Sequence, residues 1–133
     1  MKAVFLDTVG LLALWDTSDQ WHAAAENAFA AIVAGRTPLT TTTFILLECG
    51  NAAARRPYRA EPDHLRKLLE VRGELITPTA DDWQGAWESY SREATGGAGI
   101  VDCVSFAVMR RLGLREVFTN DRHFGSAGFV TLF

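Results

Sequence analysis

At 133 residues, 48% hydrophobic and 11% aromatic, the chain has the size and composition of one ordinary globular domain, and a single domain spanning residues 1–133 is expected. A formal net charge of -3 and an isoelectric point near 5.5 exclude a general electrostatic pull toward nucleic acid or anionic membranes, so any RNA binding needs a local basic patch. No apolar run approaches the roughly 18 residues that a membrane helix needs, which points away from the membrane.

Ala3 to Leu6 is a continuous apolar run, as a parallel strand buried on both faces requires. Asp7 follows at once, and Leu11 to Trp15 resumes as a short helix. The aspartate interrupts the first apolar stretch, and Trp15-Asp16 is a poor small-residue cleavage site, so a secretory leader is not expected. Ser18 offers an N-cap for a helix through Trp21, Ala25, Phe29 and Val33, closed by Gly35. Pro38 to Thr42, rich in β-branched threonine, reads as a second strand. Phe44 to Ala54 reads as a helix that Pro57 ends.

Pro62 fits the first turn of a helix running through Leu65, Leu68 and Leu69 to Gly73. A short strand at Glu74 to Thr77 precedes Thr79-Ala80-Asp81-Asp82, a capping pattern, and Trp83, Trp87 and Tyr90 continue at helical spacing. Thr95 to Gly99 is a loop, Val101 to Leu112 a helix stopped by Gly113, and Glu116 to Thr119 and Gly128 to Leu132 are strands. Strands separated by helices predict an α/β fold, a three-layer α/β/α sandwich around a mainly parallel sheet. Cys49 and Cys103 lie inside apolar runs and read as small buried hydrophobes rather than a disulfide, as in a reducing cytoplasm.

Four acids stand out on this scaffold. Asp7 lies just past the first strand and Asp121 just past the fourth, both at the carboxyl edge where open α/β folds bind ligands. Glu48 has Phe44, Ile45 and Ala52 as helical neighbours, and Asp102 has Phe106 and Met109, so both belong to inward-facing stripes. Singly, each has an ordinary structural explanation: Asp7 and Asp121 as helix caps, Asp102 as a first-turn charge, Glu48 as an arginine partner. Together they would repel one another and raise each other's pKa unless a cation neutralised them. The only lysines are Lys2 and Lys67. Oxygen ligands without histidine or thiolate are what Mg²⁺ or Mn²⁺ selects, and a bound metal would compensate Asp7.

Val4-Phe5-Leu6-Asp7-Thr8, Leu46-Leu47-Glu48, Val101-Asp102-Cys103 and Phe118-Thr119-Asn120-Asp121-Arg122-His123-Phe124, in this order, resemble a PIN domain of the VapC toxin type over essentially the whole chain. The resemblance implies a five-stranded parallel sheet and a Mg²⁺- or Mn²⁺-dependent ribonuclease, often homodimeric and held inactive by a cognate antitoxin. Asp7, Glu48, Asp102 and Asp121 match the family's acidic positions, and Thr8 and Thr119 the hydroxyl residues beside them. Thr8, Thr119 and Asn120 are then expected to orient carboxylates and water. Val9 and Gly99 depart from the residues many relatives carry, and the Gly96-Gly97-Ala98-Gly99 loop lacks a further acid. One tighter ion near Asp7 and Asp121 is therefore expected, with a second near Glu48 and Asp102 that stays weak until RNA adds phosphate oxygens.

Arg55, Arg56 and Arg59 follow the Glu48 helix, and Arg110, Arg111, Arg115 and Arg122 end and follow the Asp102 helix; of these, Arg55, Arg56, Arg59 and Arg122 are the expected RNA contacts. His22, His64 and His123 are dispersed without metal-ligand spacing and read as ordinary surface or core histidines. The tryptophans at 15, 21, 83 and 87 read as core or interface rather than base-stacking platforms. The helices Trp21 to Val33 and Phe44 to Ala54 carry apolar surface that suits either the core or an antitoxin groove and a homodimer contact. A receiver-type phospho-aspartate switch lacks its late lysine, and a haloacid-dehalogenase-like phosphatase lacks Asp-x-Asp after the first strand. The competing reading is a non-catalytic PIN-like module that binds RNA or protein without cutting.

Overall fold

β1 (Val4–Leu6) is buried along its whole length, as its unbroken apolar sequence demands. The computed structural model describes residues 2–133; Met1, the first residue of the expected domain, lies outside the described residues. Chain order continues through α1 (Thr8–Trp15), α2 (His22–Ala34), β2 (Leu39–Thr42), α3 (Thr43–Ala53), α4 (Glu61–Arg72), β3 (Leu75–Ile76), α5 (Ala80–Arg92), α6 (Ile100–Leu112), β4 (Glu116–Phe118), α7 (Arg122–Ser126) and β5 (Val130–Thr131). The five strands form one sheet in the order β3-β2-β1-β4-β5, and every pairing is parallel.

β1 is central, with Phe5 in register with Thr40 on one side and Val117 on the other. The chain first steps outward to β2 and β3, then crosses over to β4 and β5. Right-handed crossovers place α1 to α4 on one face and α5 to α7 on the other, giving three layers. The gap between the carboxyl ends of β1 and β4 is the point where the winding reverses.

Each threonine of β2 has a distinct partner for its hydroxyl. Thr40 donates to the Glu74 carbonyl at 2.6 Å, Thr41 donates to the Leu6 carbonyl at 2.6 Å, and Thr42 caps α3 by accepting the Ile45 N–H. β-Branched residues thus build a buried strand without stranding polar groups.

Local chemistry sets most helix ends. Thr79 and Asp82 form a capping box at the start of α5, and Gly73 and Gly113 end α4 and α6 in the left-handed conformation. Asp82 also takes a bidentate pair of bonds from Arg111 at 3.1 and 2.8 Å, which ties α5 to α6 and holds the Asp82 carboxyl below the usual carboxylate range.

One expectation is corrected. Ser18 does not cap α2: its N–H and hydroxyl both donate to Asp16 in a turn, and Trp21 occupies the cap position without a side-chain bond. α7, five residues long, is too short to carry helical periodicity and has no counterpart among the expected elements. Of the core and interface alternatives for the tryptophans, Trp21, Trp83 and Trp87 are exposed and so are not core; α5 packs inward through Asp82 and Ala86 and leaves Trp83 and Trp87 outside. Phe44, Trp83, Trp87 and Tyr90 run edge to face along that surface.

Gly10 decides how closely α1 approaches the sheet. A Cβ there would stand 2.1 Å from the Phe118 carbonyl oxygen, whereas a Cβ at Gly50 in α3 would meet nothing within 4 Å. Gly10→Ala is therefore expected to destabilise the fold by about 1–3 kcal/mol. Gly50→Ala should stabilise it by up to ~1 kcal/mol. Urea denaturation curves of the two variants check both signs.

Candidate active site

The carboxyl ends of β1 and β4 hold the centre of the site. Asp7, only 1% exposed, caps α1: its Oδ2 accepts the Val9 N–H at 3.3 Å and the Thr119 hydroxyl at 2.8 Å. Thr119 Oγ1 in turn accepts the Asp121 N–H at 3.1 Å, so one hydroxyl fixes both aspartates. Asp121 caps α7, accepting the His123 N–H at 2.9 Å. The cap readings of both residues hold, and they coexist with a shared cleft.

Glu48, half-buried on α3, accepts the Thr8 hydroxyl at 2.6 Å, which links the starts of α1 and α3. Asp102 enters from the first turn of α6, whose N-cap Gly99 supplies a backbone N–H toward it. Asn120 is half-buried between Thr119 and Asp121 and makes no side-chain hydrogen bond among the described residues.

The electrostatics confirm the convergence. Burial pushes Asp7 up to about 7, against the Thr119 hydroxyl, and the charges of Asp102 and Asp121 push in the same direction. Burial pushes Asp102 up to about 6, reinforced by Asp121 and Glu48. No lysine or arginine makes an ion pair with any of the four among the described residues; the one basic neighbour is His123, whose Nδ1 lies 3.0 Å from Asp121 Oδ1.

His123 is the residue that sequence reasoning set aside. Asp102, Asp121 and His123 each offer a ligand atom, all within 4.8 Å of one another. The signal available in the sequence was the i+2 spacing from Asp121 at the start of a helix, which brings the ring back over the cap. The glycine loop is also more ordered than its composition suggested. Gly96 adopts φ of 95°, and its carbonyl oxygen lies 3.1 Å from His123 Nε2, whose pKa that contact raises.

The arginines divide. Arg122 is exposed immediately beside Asp121. Arg55, Arg56 and Arg59 lie at and beyond the far end of α3, with Arg55 about 10 Å along the helix axis from Glu48. Arg56 pairs with Asp16 at 3.1 Å and Arg59 donates to the Ala54 carbonyl. Arg110 lies over Phe106 and Phe129 and donates to the Ala127 carbonyl, so it serves packing. Cys49 and Cys103 are buried free thiols, as expected, and burial pushes the Cys49 thiol up to about 12.

A donor set of carboxylate oxygens at the reversal point of a parallel α/β sheet, with no lysine or arginine paired to it among the described residues, fits a divalent ion. Fold and site thus define a parallel α/β protein with an acidic cluster that could bind a metal ion. The chain belongs to the PIN domain family, whose model matches residues 4–130, as its motifs implied. It is 33% identical over 132 residues to the 23S rRNA-specific endonuclease VapC20 of Mycobacterium tuberculosis, in strains CDC 1551 / Oshkosh and ATCC 25618 / H37Rv, a match covering 96% of this chain and 95% of the relative. The crystal structure of VapC20, described as a sarcin-ricin loop cleaving toxin, superposes with a TM-score of 0.77 and 28% identity, covering 96% of this chain and 97% of that one. PAE2754 from Pyrobaculum aerophilum shares the fold, with a TM-score of 0.61 and 20% identity over 98% of this chain and 84% of that one.

Raised acid pKa values have a definite consequence for stability. Between about pH 4 and 7 the folded, metal-free protein binds more protons at Asp7 and Asp102 than the unfolded chain does, so their contribution falls as pH rises. The raised pKa of His123 acts in the same direction. In EDTA, the melting temperature is expected to drop from about pH 5 to about pH 8, and Asp7→Asn should flatten the drop and melt above the parent at the upper end. Added Mn²⁺ or Mg²⁺ should raise melting most at high pH, where the carboxyls ionise readily. Scanning fluorimetry across pH checks all three.

Proposed function

We propose that this protein is a Mg²⁺- or Mn²⁺-dependent endoribonuclease that hydrolyses RNA phosphodiester bonds, working as the toxin of a toxin–antitoxin pair in the cytoplasm, with residues 1–133 as a single PIN nuclease domain. The observation that carries this reading is the convergence of Asp7, Asp102 and Asp121, with Glu48 beside them, at a site with no lysine or arginine partner among the described residues. The likeness to a 23S rRNA-specific endonuclease supplies the substrate class.

In this reading Asp7, Asp102 and Asp121 hold the ion or ions and Glu48 completes the set directly or through water. A bound divalent ion supplies Lewis acidity toward phosphate and water. The chain supplies the rest. Thr119 keeps Asp7 aimed into the cleft through a bond of 2.8 Å, and Thr8 does the same for Glu48 at 2.6 Å. Buried carboxyls whose ionised forms are disfavoured hold protons until a cation arrives, so the acids and the cation enter as a set. Arg122, beside Asp121, is the nearest of the expected arginines to the reacting phosphate; Arg55, Arg56 and Arg59 would meet RNA farther along the strand. A cognate antitoxin and a homodimer complete the assignment, and the exposed surface of Leu47, Trp83, Trp87 and Tyr90 supports a protein contact. Among the described residues no helix is long and apolar enough to cross a membrane.

Purified protein incubated with ribosomal RNA is expected to cut it in Mg²⁺ or Mn²⁺ and not in EDTA. Asp7→Asn and Asp121→Asn should each lower the cleavage rate by at least ~10²-fold. Retention of RNA binding with no cleavage by the parent protein under any metal would favour the non-catalytic module instead.

A further inference from the structure

The ring of His123 is held in a way the acidic set does not explain. Its Nε2 lies 3.1 Å from the carbonyl oxygen of Gly96, and a carbonyl only accepts hydrogen bonds. Nε2 therefore carries the hydrogen, and in the neutral ring Nδ1 is left as a lone pair. That lone pair faces Asp121 Oδ1 at 3.0 Å, an oxygen that already accepts the His123 backbone N–H. Two atoms opposed at this distance need either a proton on Nδ1 or a metal ion between them.

The distance suits a metal ion. Two adjacent ligands of an octahedral ion at ~2.1 Å stand ~3.0 Å apart, and opposite ligands ~4.2 Å. Asp102 brings a third ligand atom, all three lying within 4.8 Å of one another, so closure by a fraction of an ångström completes the site. A ligating histidine characteristically donates its other ring N–H to a carbonyl or carboxylate, which sets the tautomer. Gly96 provides that carbonyl from a backbone at φ of 95°, a conformation that favours glycine. In the same loop a Cβ at Gly97 would stand 2.7 Å from that of Glu93. The glycines shape the support for the ring.

We propose that His123 Nδ1 is a metal ligand alongside Asp102 and Asp121, and that this nitrogen makes the site select first-row transition ions over Mg²⁺. The inference rests on the metal-dependent reading above and deepens it. Mg²⁺ favours oxygen and keeps its waters, whereas imidazole favours transition ions in the rising order Mn²⁺, Fe²⁺, Co²⁺.

Pulsed electron paramagnetic resonance of the full chain loaded with Mn²⁺ at about pH 8, with calorimetric titrations of Mn²⁺, Co²⁺ and Mg²⁺, tests it. A ¹⁴N coupling to Mn²⁺ is expected, absent in His123→Ala and in His123→Gln, whose amide still reaches toward Gly96. Both variants should bind Mn²⁺ at least ~10-fold more weakly, and Co²⁺ more weakly still, with Mg²⁺ affinity within about threefold of the parent. Mn²⁺ bound without nitrogen coupling, or a Gln variant that keeps the parental Mn²⁺ preference, overturns the ligand assignment and leaves an all-oxygen nuclease site standing. No Mn²⁺ binding at millimolar concentration overturns both. If the variants fail to melt cooperatively, the spectrum of the parent protein alone decides.

Discussion

Burying one carboxyl group at the end of the central strand is the constraint around which this molecule is organised. Asp7 has almost no contact with solvent, and an acid in that position demands either a proton or a cation. Every element near it contributes to the provision. Thr119, just past β4, donates to the side chain, α1 turns the Val9 N–H toward it, and the absence of a Cβ at Gly10 lets α1 lie against the Phe118 carbonyl. Thr41 secures the last carbonyl of β1 from the other side. The site is thus part of the core, and its charge state is coupled to the packing of the strands that carry it.

The same constraint explains which features were legible in the sequence. A charged residue directly after an unbroken apolar run signals a carboxyl-edge position, and this located Asp7 and Asp121; helical spacing located Glu48 and Asp102. Strands and helix ends governed by local chemistry, such as the Thr79 cap and the stops at Gly73 and Gly113, were readable for the same reason. Features that depend on a distant partner were not. Gly10 looks like a weak helix residue until the Phe118 carbonyl arrives from the far end of the chain. His123 looks dispersed until Gly96, 27 residues earlier, meets it. Ser18 was a sound cap by composition, but Asp16 two residues before it offered its hydroxyl and N–H a nearer acceptor.

Arginine use shows how an acidic chain can approach RNA. Arg110 and Arg111 are committed to packing and to Asp82, and Arg56 to Asp16, so three of the basic side chains near the helix ends are already matched. With a net charge of -3, long-range attraction cannot deliver RNA to the site. On the proposed reading, short-range fit and a cation at the acids would have to supply it, which would make binding of metal and binding of substrate parts of one event.

The strand order carries a consequence for synthesis. β1 is made well before its sheet neighbour β4, and the Thr119 that completes the pocket comes 112 positions after Asp7. Loop closure over such a separation is slow and cannot precede the arrival of its second end. A nascent chain on the ribosome therefore has β1, β2 and β3 available to pair long before it has an acidic pocket. On the nuclease reading proposed above, catalytic competence cannot precede the synthesis of Thr119 and Asp121.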